Sequence, residues 1–426
     1  MKLSIKRTFF IGLAFFSISA FWQLYDTIIP LILRDTFKLG DTINGVIMAM
    51  DNILALFLLP LFGSLSDRTD TSIGKRMPYI VFGTAFASVA IILLPIADNI
   101  KNLSMFITVL GFVLVFMGTY RSPAVALMPD LTPKPLRSKA NAIINLMGSV
   151  GAIITLLIIL VLVPKENPNY FTVFSCVVGV MIVSVFLLFI TTKEKKLHSV
   201  IPGLDEPEEI KPKLKTREKP EQMPADVKKS LIFLLLSVFL WFTAYNAVTT
   251  AFSRYATVVW KIAGGGFSMF LIVATLAALV SFIPIGIISS KIGRKKVILA
   301  GIIMMITAFA AGALYPVYHW SLNIIFALTG IGWASINVNS YPMVVEMSKG
   351  SNIGKYTGIY YTFSMAAQIF TPIASGYLLE HVSYRTLFPY SAIFSLLALF
   401  TMLNVMHGDT KPVKVNSVIE NFNTPD

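Results

Sequence analysis

Twelve long apolar runs dominate the chain and limit what it can fold into. Each run is long enough to cross a hydrocarbon core of about 30 Å as a helix that rises about 1.5 Å per residue. Of the 426 residues, 55% are hydrophobic and 13% are charged, a composition that excludes a water-soluble fold. We predict an all-α integral membrane protein with twelve transmembrane helices in two six-helix bundles, at residues 8–33, 43–65, 78–96, 103–127, 140–163, 170–191, 230–251, 266–289, 297–316, 321–345, 356–378 and 385–405.

The basic residues predict the orientation of these helices. A net charge of +13 would suggest nucleic-acid binding in a soluble protein. In a membrane protein, the distribution of basic residues between inner and outer loops indicates the orientation instead. With the N-terminus inside, and with the long central loop omitted, the inner segments carry 17 basic residues against seven in the outer loops. This bias predicts a multi-pass protein of the cell membrane with both termini in the cytoplasm.

The first run continues to about Leu33, too far for a signal peptide, so we expect an uncleaved helix.

The chain divides into two similar halves around one long polar connection. We predict a first six-helix bundle over 1–191, a cytoplasmic linker over 192–229, a second bundle over 230–406 and a cytoplasmic tail over 407–426. After the second helix of each half stands a related loop, Gly63-x3-Asp67-Arg68-x5-Gly74-Lys75-Arg76 and Gly286-x3-Ser290-Lys291-x-Gly293-Arg294. A repeat at the same place in both halves is typical of transporters built from two bundles.

These features together resemble the major facilitator superfamily over essentially the whole chain. Within it, a series of motifs is similar to the glycoside–pentoside–hexuronide:cation symporters, and specifically to bacterial relatives of plant sucrose transporters. The motifs are Phe21-Trp22-Gln23-Leu24-Tyr25-Asp26, Asp51-Asn52, Gly63-Ser64-Leu65-Ser66-Asp67-Arg68, Gly74-Lys75-Arg76-Met77-Pro78-Tyr79, Arg121-Ser122-Pro123, Pro129-Asp130-Leu131, Asn339-Ser340-Tyr341-Pro342 and Gly354-Lys355-Tyr356-Thr357-Gly358. The resemblance implies the major facilitator fold and sugar transport coupled to a proton, without identifying the sugar.

Two carboxylates inside the first two helices are candidates for cation coupling. Asp26 lies about seven residues from the outer end of its run and Asp51 about eight residues from the outer end of the next. Both would therefore lie roughly 10–12 Å below the outer surface. Because an ionisable group at membrane depth costs about 2.5–3.5 kcal/mol on insertion scales, a functional site facing a cavity is expected. The alternative is that each acid caps or joins neighbouring helices, and the sequence does not say which of the two titrates.

Arg121 is the one basic residue deep in any run. It lies roughly 27 Å along the fourth helix, below both acids, so we expect no direct ion pair with either acid. One interpretation is a cavity-facing guanidinium whose planar fork binds sugar hydroxyls, which a lysine could not replace. The other is a side chain that reaches the inner membrane interface and serves only as an anchor.

Sugar recognition needs polar groups for hydroxyls and aromatic faces for the apolar side of the ring, held in an otherwise apolar cavity. Polar residues in membrane helices also join helices, so each assignment has this alternative. The candidate substrate-binding residues are Trp22, Gln23, Tyr25, Arg121, Tyr245, Asn246, Trp333, Asn337, Asn339, Tyr361 and Gln368.

Charged residues at the predicted cytoplasmic helix ends are candidates for gating. A contact that an acid such as Asp67 makes in only one conformational state would shift the equilibrium between states. The alternative is that the basic members reflect topology alone. The candidate gating residues are Asp67, Arg68, Gly74, Lys75, Arg76, Asp130, Arg137, Arg294 and Glu346.

The sequence also narrows the classes of function. It holds no Gly-x4-Gly-Lys-Ser/Thr phosphate-binding loop, so transport driven by ATP on this chain alone is not supported. Cys176 is the single cysteine and the four histidines are scattered, so we expect no cofactor, no metal site and no enzymatic activity. The expected partners are a sugar, a proton or sodium ion and the lipid bilayer, with no nucleic acid, and we expect a monomer. The alternatives are an efflux antiporter for drugs or amphiphiles and a membrane receptor or scaffold.

Overall fold

The structure is a computed structural model that describes residues 3–133, 136–166, 168–200, 224–347 and 353–409. Thirteen α-helices lie in these ranges. They are α1 (Ile5–Asp35), α2 (Asp41–Asp67), α3 (Met77–Asn99), α4 (Leu103–Asp130), α5 (Arg137–Leu162), α6 (Phe171–Thr191), α7 (Glu194–Val200), α8 (Ala225–Val258), α9 (Ser268–Ile292), α10 (Arg294–Ala313), α11 (Leu322–Glu346), α12 (Ile353–His381) and α13 (Leu387–Leu403). Short 3₁₀ turns precede α9 at Gly264–Phe267 and α13 at Tyr384–Thr386.

The prediction of twelve transmembrane helices is confirmed. Among the described residues, eleven helical segments are long and apolar enough to cross a membrane, and α12, with 29 residues, is also long enough. Twelve of the thirteen helices coincide with the twelve predicted runs. The largest difference is α8, which begins at Ala225 and ends at Val258 rather than at 230 and 251. Charged residues such as Asp226, Lys228 and Arg254 lie inside its two ends, where an apolar run does not reveal a helix.

Part of the predicted linker is helical. The short helix α7 lies in it, and its first residue, Glu194, is buried. Residues 201–223 of the linker and 410–426 of the tail lie outside the described ranges. The predicted bounds of the two bundles and of the linker therefore stay predictions.

Glu194 caps the start of α3. Its carboxylate oxygens accept hydrogen bonds from the backbone N–H groups of Lys75, Arg76 and Met77, at 2.9–3.1 Å. A carboxylate is stabilised at this position because the first N–H groups of a helix have no partner within the helix. Gly74 precedes it with a φ of 119°, a conformation that disfavours any residue with a Cβ.

The buried Arg76 guanidinium ties the same loop to α4. Its Nε donates to Asp130 at 2.8 Å, its Nη1 donates to Ser66 at 2.5 Å, and its Nη2 donates to Asp67. Burial opposes the charge on Arg76, but the hydrogen bonds and charges of Asp130 and Asp67 outweigh this effect and raise its pKa. The α2–α3 loop is thereby joined to the ends of α2 and α4.

The second half repeats this arrangement. Asp409 accepts hydrogen bonds from the backbone N–H groups of Arg294, at 2.5 Å, and Lys295, at 3.2 Å, at the start of α10. The Arg294 side chain donates to Glu346 at 2.5 Å, and Gly293 has a φ of 100°. We call Arg76, Asp130 and Glu194 the first end cluster and Arg294, Glu346 and Asp409 the second end cluster. Both lie on the face of the bundle where α1 begins, the N-terminal face.

The two halves are joined at the opposite face. There α2 packs against α12, α5 against α9 and α1 against α8. The α2–α12 approach is so close that a Cβ on Gly45 would collide with the carbonyl oxygen of Pro372. Because Gly45 lies in the second turn of α2, this approach lies close to the end of the bundle that we call the joined face.

Candidate functional site

The α1 segment Trp22–Asp26 carries four of the predicted site residues. Trp22 and Tyr25 meet edge to face, with ring centroids 5.4 Å apart. The buried Tyr25 hydroxyl donates to the carbonyl oxygens of Ile47, at 3.5 Å, and Met48, at 3.4 Å, on α2. These bonds hold α1 against α2 one turn before Asp51. They therefore place Asp26 and Asp51 in neighbouring parts of adjacent helices.

Asp26, Asp51 and Arg121 form one electrostatic group. Each carboxylate lies within range of the Arg121 charge, and Asp26 also lies within range of Asp51. The described salt bridges do not include Arg121. The Asp51 carboxylate instead accepts a hydrogen bond from the side-chain amide of Asn52 at 2.7 Å. In the described structure, neither carboxylate is therefore held in a direct ion pair with Arg121.

Arg121 is directed toward Trp22. The neighbouring Tyr120 donates from its hydroxyl to Ser17 at 3.0 Å, which places this part of α4 beside α1 more than one turn below Trp22. From there the Arg121 guanidinium reaches the face of the Trp22 ring, 5.2 Å from the ring centroid. This is a cation–π contact. The Trp22 Nε1 is buried and has no hydrogen-bond partner among the described residues.

An aromatic pair lies in the second half. The Tyr245 ring on α8 and the Trp333 ring on α11 are stacked, with centroids 3.9 Å apart and an interplanar angle of 2°. Phe242 meets Trp333 edge to face at 5.1 Å. Next to Tyr245, the buried Nδ2 of Asn246 has no hydrogen-bond partner in the described structure. The second half thus supplies an apolar ring surface with an adjacent amide donor.

The two sets of residues lie at matching depth. Arg34 and Arg254 meet at the joined face, where the Arg34 Nη1 donates to the Arg254 carbonyl at 3.1 Å. Asp26 lies eight residues before Arg34 (34 − 26), and Asn246 lies eight residues before Arg254 (254 − 246). Since α1 and α8 pack together and both run from the N-terminal face, both residues are about 12 Å below that contact.

The remaining predicted substrate-binding residues have different surroundings. Gln23 and Asn337 are half-buried. Asn339 is buried and donates to the Ser335 carbonyl of its own helix at 2.8 Å, and Gln368 donates to the Ser364 carbonyl at 3.3 Å. Tyr361 is 54% exposed and packs against Tyr341 and Tyr360, nearer the start of α12. The binding roles of these residues stay predictions.

The predicted gating residues gather on the N-terminal face. Most of them belong to the two end clusters and their loops, and the Lys75 ammonium also pairs with Asp130 at 3.1 Å. Arg137 donates to the carbonyls of Pro129, at 3.1 Å, and Thr132, at 3.2 Å, at the end of α4. Arg68 is exposed. Sequence reasoning missed Glu194 and Asp409, which come together with these loops only in the folded chain.

A buried ion pair at the joined face was also missed. The Arg254 guanidinium, 0% exposed, donates to Asp41 at 2.5 Å, and Asp41 also accepts from the hydroxyl of Tyr384. We call Arg34, Asp41, Arg254 and Tyr384 the gate cluster. Arg34 and Arg254 lie outside the predicted runs 8–33 and 230–251, so both are expected in outer loops. The available signal was the sequence Ala251-Phe252-Ser253-Arg254-Tyr255, in which apolar residues before and after Arg254 continue the helix past the predicted end.

The chain belongs to the Major Facilitator Superfamily, whose family model matches residues 11–260 and 260–421. It is 24% identical over 313 residues to an isoprimeverose transporter of Lactiplantibacillus pentosus, which covers 71% of this chain and 62% of that protein. It is 24% identical over 220 residues to the putative glycoside/cation symporter YagG of Escherichia coli, covering 49% of this chain and 48% of that protein. The crystal structure of the nucleoside transporter NupG shares its fold, with a TM-score of 0.67, 14% identity and coverage of 95% and 99% of the two chains.

The gate cluster generates a prediction about Asp41→Asn. Loss of the carboxylate charge leaves the buried Arg254 guanidinium unpaired, a change that typically costs about 3–5 kcal/mol. The state in which the halves are joined at this face should therefore become less populated. We expect faster labelling of Thr250→Cys, in a Cys176→Ala background, by an impermeant maleimide added from the joined face. Thr250 lies one turn below Arg254.

Glu380→Gln is the matched control for this experiment. Glu380 also joins the halves at this face, because its carboxylate accepts from the Thr42 backbone N–H at 2.7 Å, but this contact is exposed. Exposed contacts of this kind contribute little free energy to holding the halves together, so the labelling rate should stay close to that of the parent protein. Equal labelling rates in the two variants would show that the buried pair does not control access.

Proposed function

We propose that the protein is a secondary active transporter that takes up a neutral sugar or glycoside together with one cation, a proton, by alternating access across the cell membrane. The observation that carries the proposal is the pairing of two carboxylates and one guanidinium in the first half with the stacked Tyr245–Trp333 pair in the second half. Stacked rings offer an apolar face to a sugar ring, and the carboxylates offer a cation site.

The charge of the first-half group supports one cation and a neutral cargo. Among the described residues, Asp26, Asp51 and Arg121 are the charged side chains in the central turns of the spanning helices. With both acids ionised the group carries one net negative charge, and one bound proton makes it neutral. Because uncompensated charge is costly at this depth, a neutral loaded state favours one proton per cycle. An anionic cargo would restore an uncompensated charge.

The donors around the aromatic rings support a cargo with hydroxyl groups. The Trp22 Nε1 and the Asn246 Nδ2 are buried without partners in the described structure, and an unsatisfied buried donor is costly. A bound hydroxyl oxygen would accept from such a donor. The planar guanidinium of Arg121, held over Trp22, offers further donors in a fixed geometry. A drug-like amphiphile would leave most of these donors unpaired.

The relatives of this chain also support a sugar or glycoside as the cargo. The two relatives named above are described as an isoprimeverose transporter and a putative glycoside/cation symporter. The chain matches about three fifths of the first and about half of the second. They support placing this chain with the glycoside–pentoside–hexuronide:cation symporters, as the motifs around Asp26, Asp51 and Arg121 suggest.

The conformation corresponds to one step of the transport cycle. With the termini in the cytoplasm, the joined face is the outer face, and the gate cluster closes the space between the halves from outside. In this state Asp26 and Asp51 lie about 12–15 Å below the gate cluster. Opening of the outer face requires Arg254 to separate from Asp41. The end clusters, which include the predicted gating residues Arg76, Asp130, Arg294 and Glu346, would then move with their helices toward closure of the inner face.

Uptake by the purified protein in proteoliposomes tests the function directly. We expect an imposed inward proton gradient to drive accumulation of neutral mono- or disaccharides from a labelled panel. A negative-inside potential should accelerate this uptake, because a neutral sugar and one proton carry one charge. A hexuronide should not accumulate. Extrusion of lipophilic compounds under a proton gradient, without any sugar uptake, would favour the antiporter instead.

The two carboxylates are tested by Asp26→Asn and Asp51→Asn. Each removes a protonatable group but keeps the shape of the cavity, so we expect loss of gradient-driven accumulation with some sugar exchange retained. Asp98→Asn is the control, because Asp98 is also largely buried but lies at the end of α3 near the joined face. Normal accumulation in both single variants would remove this pair from cation coupling.

Arg121→Lys separates a binding role from an anchoring role. Lysine keeps the charge and the flexible stem, so it can replace an interfacial anchor. It lacks the planar fork of donors, so we expect normal membrane levels but at least tenfold lower sugar uptake. Arg385→Lys changes an exposed arginine of the outer turn and should leave sugar uptake unchanged. Near-normal uptake by Arg121→Lys would show that Arg121 is an anchor and does not bind the sugar.

A further inference from the structure

A cleft of about 540 Å³ lies on the N-terminal face, outside the transport site. It is formed between the α2–α3 loop and the segment that follows α6. We call it the linker cleft. Its lining residues are Ser72, Ile73, Met77, Phe189, Ile190, Thr192, Lys193, Lys195 and Lys196.

The linker cleft has an apolar wall and a cationic rim. Ile73, Met77, Phe189 and Ile190 form the wall, and the last two belong to the final turn of α6. The lysines follow directly after the end of that helix. Since α6 contains no charged residue from Phe171 to Thr191, its end marks the edge of the hydrocarbon region. Phe189 and Ile190 are therefore level with the acyl chains, and the lysines that follow are level with the headgroups.

The positive charge of the rim is not cancelled by the acid within it. Glu194 lies between Lys193 and Lys195 but is buried, and its carboxylate is directed to the backbone N–H groups at the start of α3. Lys195 pairs with Asp70 at 2.9 Å, but 57% of the lysine side chain and 85% of the aspartate side chain are exposed. Such an exposed pair is weak, so the Lys195 ammonium can turn to another anion.

We propose that the linker cleft binds the headgroup of an anionic phospholipid, with part of an acyl chain against the apolar wall. A headgroup phosphate with net negative charge matches the rim, and the attached acyl chain matches the wall. Lysines near an anionic membrane surface each strengthen binding by roughly fivefold. The site is distinct from the sugar site and does not depend on what the protein transports.

Occupancy of the linker cleft would act on the first end cluster. Met77 lines the cleft and also donates its backbone N–H to Glu194 at 2.9 Å. A headgroup that holds Lys193 and Lys195 would therefore hold the chain on both sides of Glu194. It would restrain the cap on α3 and, through Arg76, the contact with α4. The lipid would thus stabilise the present arrangement of the α2–α3 loop.

Lipid binding to the full-length protein in detergent tests the site. Native mass spectrometry would compare phosphatidylglycerol with phosphatidylcholine, each of the same acyl composition. We expect preferential retention of phosphatidylglycerol and at least a tenfold loss of its affinity in the double variant Lys193→Gln, Lys195→Gln. The control is Lys228→Gln, Lys229→Gln, which removes the same charge from exposed positions at the start of α8 and should keep the preference.

A second variant tests the wall without changing charge. Ile73→Trp fills part of the cleft and should weaken phosphatidylglycerol binding although every lysine is present. Inorganic phosphate, which has no acyl chain, should not displace the lipid. Equal retention of the two lipids, equal affinity in the two double variants, or displacement by phosphate would each overturn the proposal.

Discussion

The bilayer provides no water to solvate charge or backbone, and the structure follows from this constraint. Backbone groups must be satisfied within each segment, which is why the spanning segments are helices. Charged side chains occur where another group compensates them. Arg254 is buried against Asp41 at the joined face, and Arg76 is buried between Asp67 and Asp130 at the N-terminal face. The group of Asp26, Asp51 and Arg121 is the exception, because none of its members is directly paired in the described structure.

These charges lie at three depths in the molecule. The gate cluster is at the joined face, the end clusters are at the N-terminal face, and the group of Asp26, Asp51 and Arg121 lies between them. The gate cluster holds the halves together across the joined face, whereas each end cluster makes its described contacts within one half. A rocking motion that separates the halves at the joined face must therefore break the Arg254–Asp41 pair but need not break an end cluster. The end clusters hold α2–α3–α4 and α10–α11 together as units. The group of Asp26, Asp51 and Arg121 lies between these two faces and is not held by either kind of cluster.

The helices could be predicted closely and the contacts between them could not. An apolar run is a local property, so most helix ends lie within a few residues of the predicted positions. Asp26, Asp51 and Arg121 could be singled out because an ionisable residue in such a run is itself a local signal. Glu194, Asp409 and Asp41 carry no such signal. Each lies at a helix end or in a loop, where acids are common, and its partners are more than 100 residues away.

The two halves share the end cluster but not the chemistry inside the bundle. In the first half Asp67, the last residue of α2, is a second carboxylate partner of Arg76, whereas the second half has Ser290 at this position, whose hydroxyl donates to the Ile287 carbonyl at 2.7 Å. Likewise, α1 and α2 carry Asp26 and Asp51, while α8 carries Tyr245 and Asn246. An internal duplication that preserves the helix caps but places the ionisable groups in one half would, under the proposed function, separate two tasks. The first half would change its charge when a cation binds, and the second half would offer an uncharged aromatic surface that stays the same in both charge states.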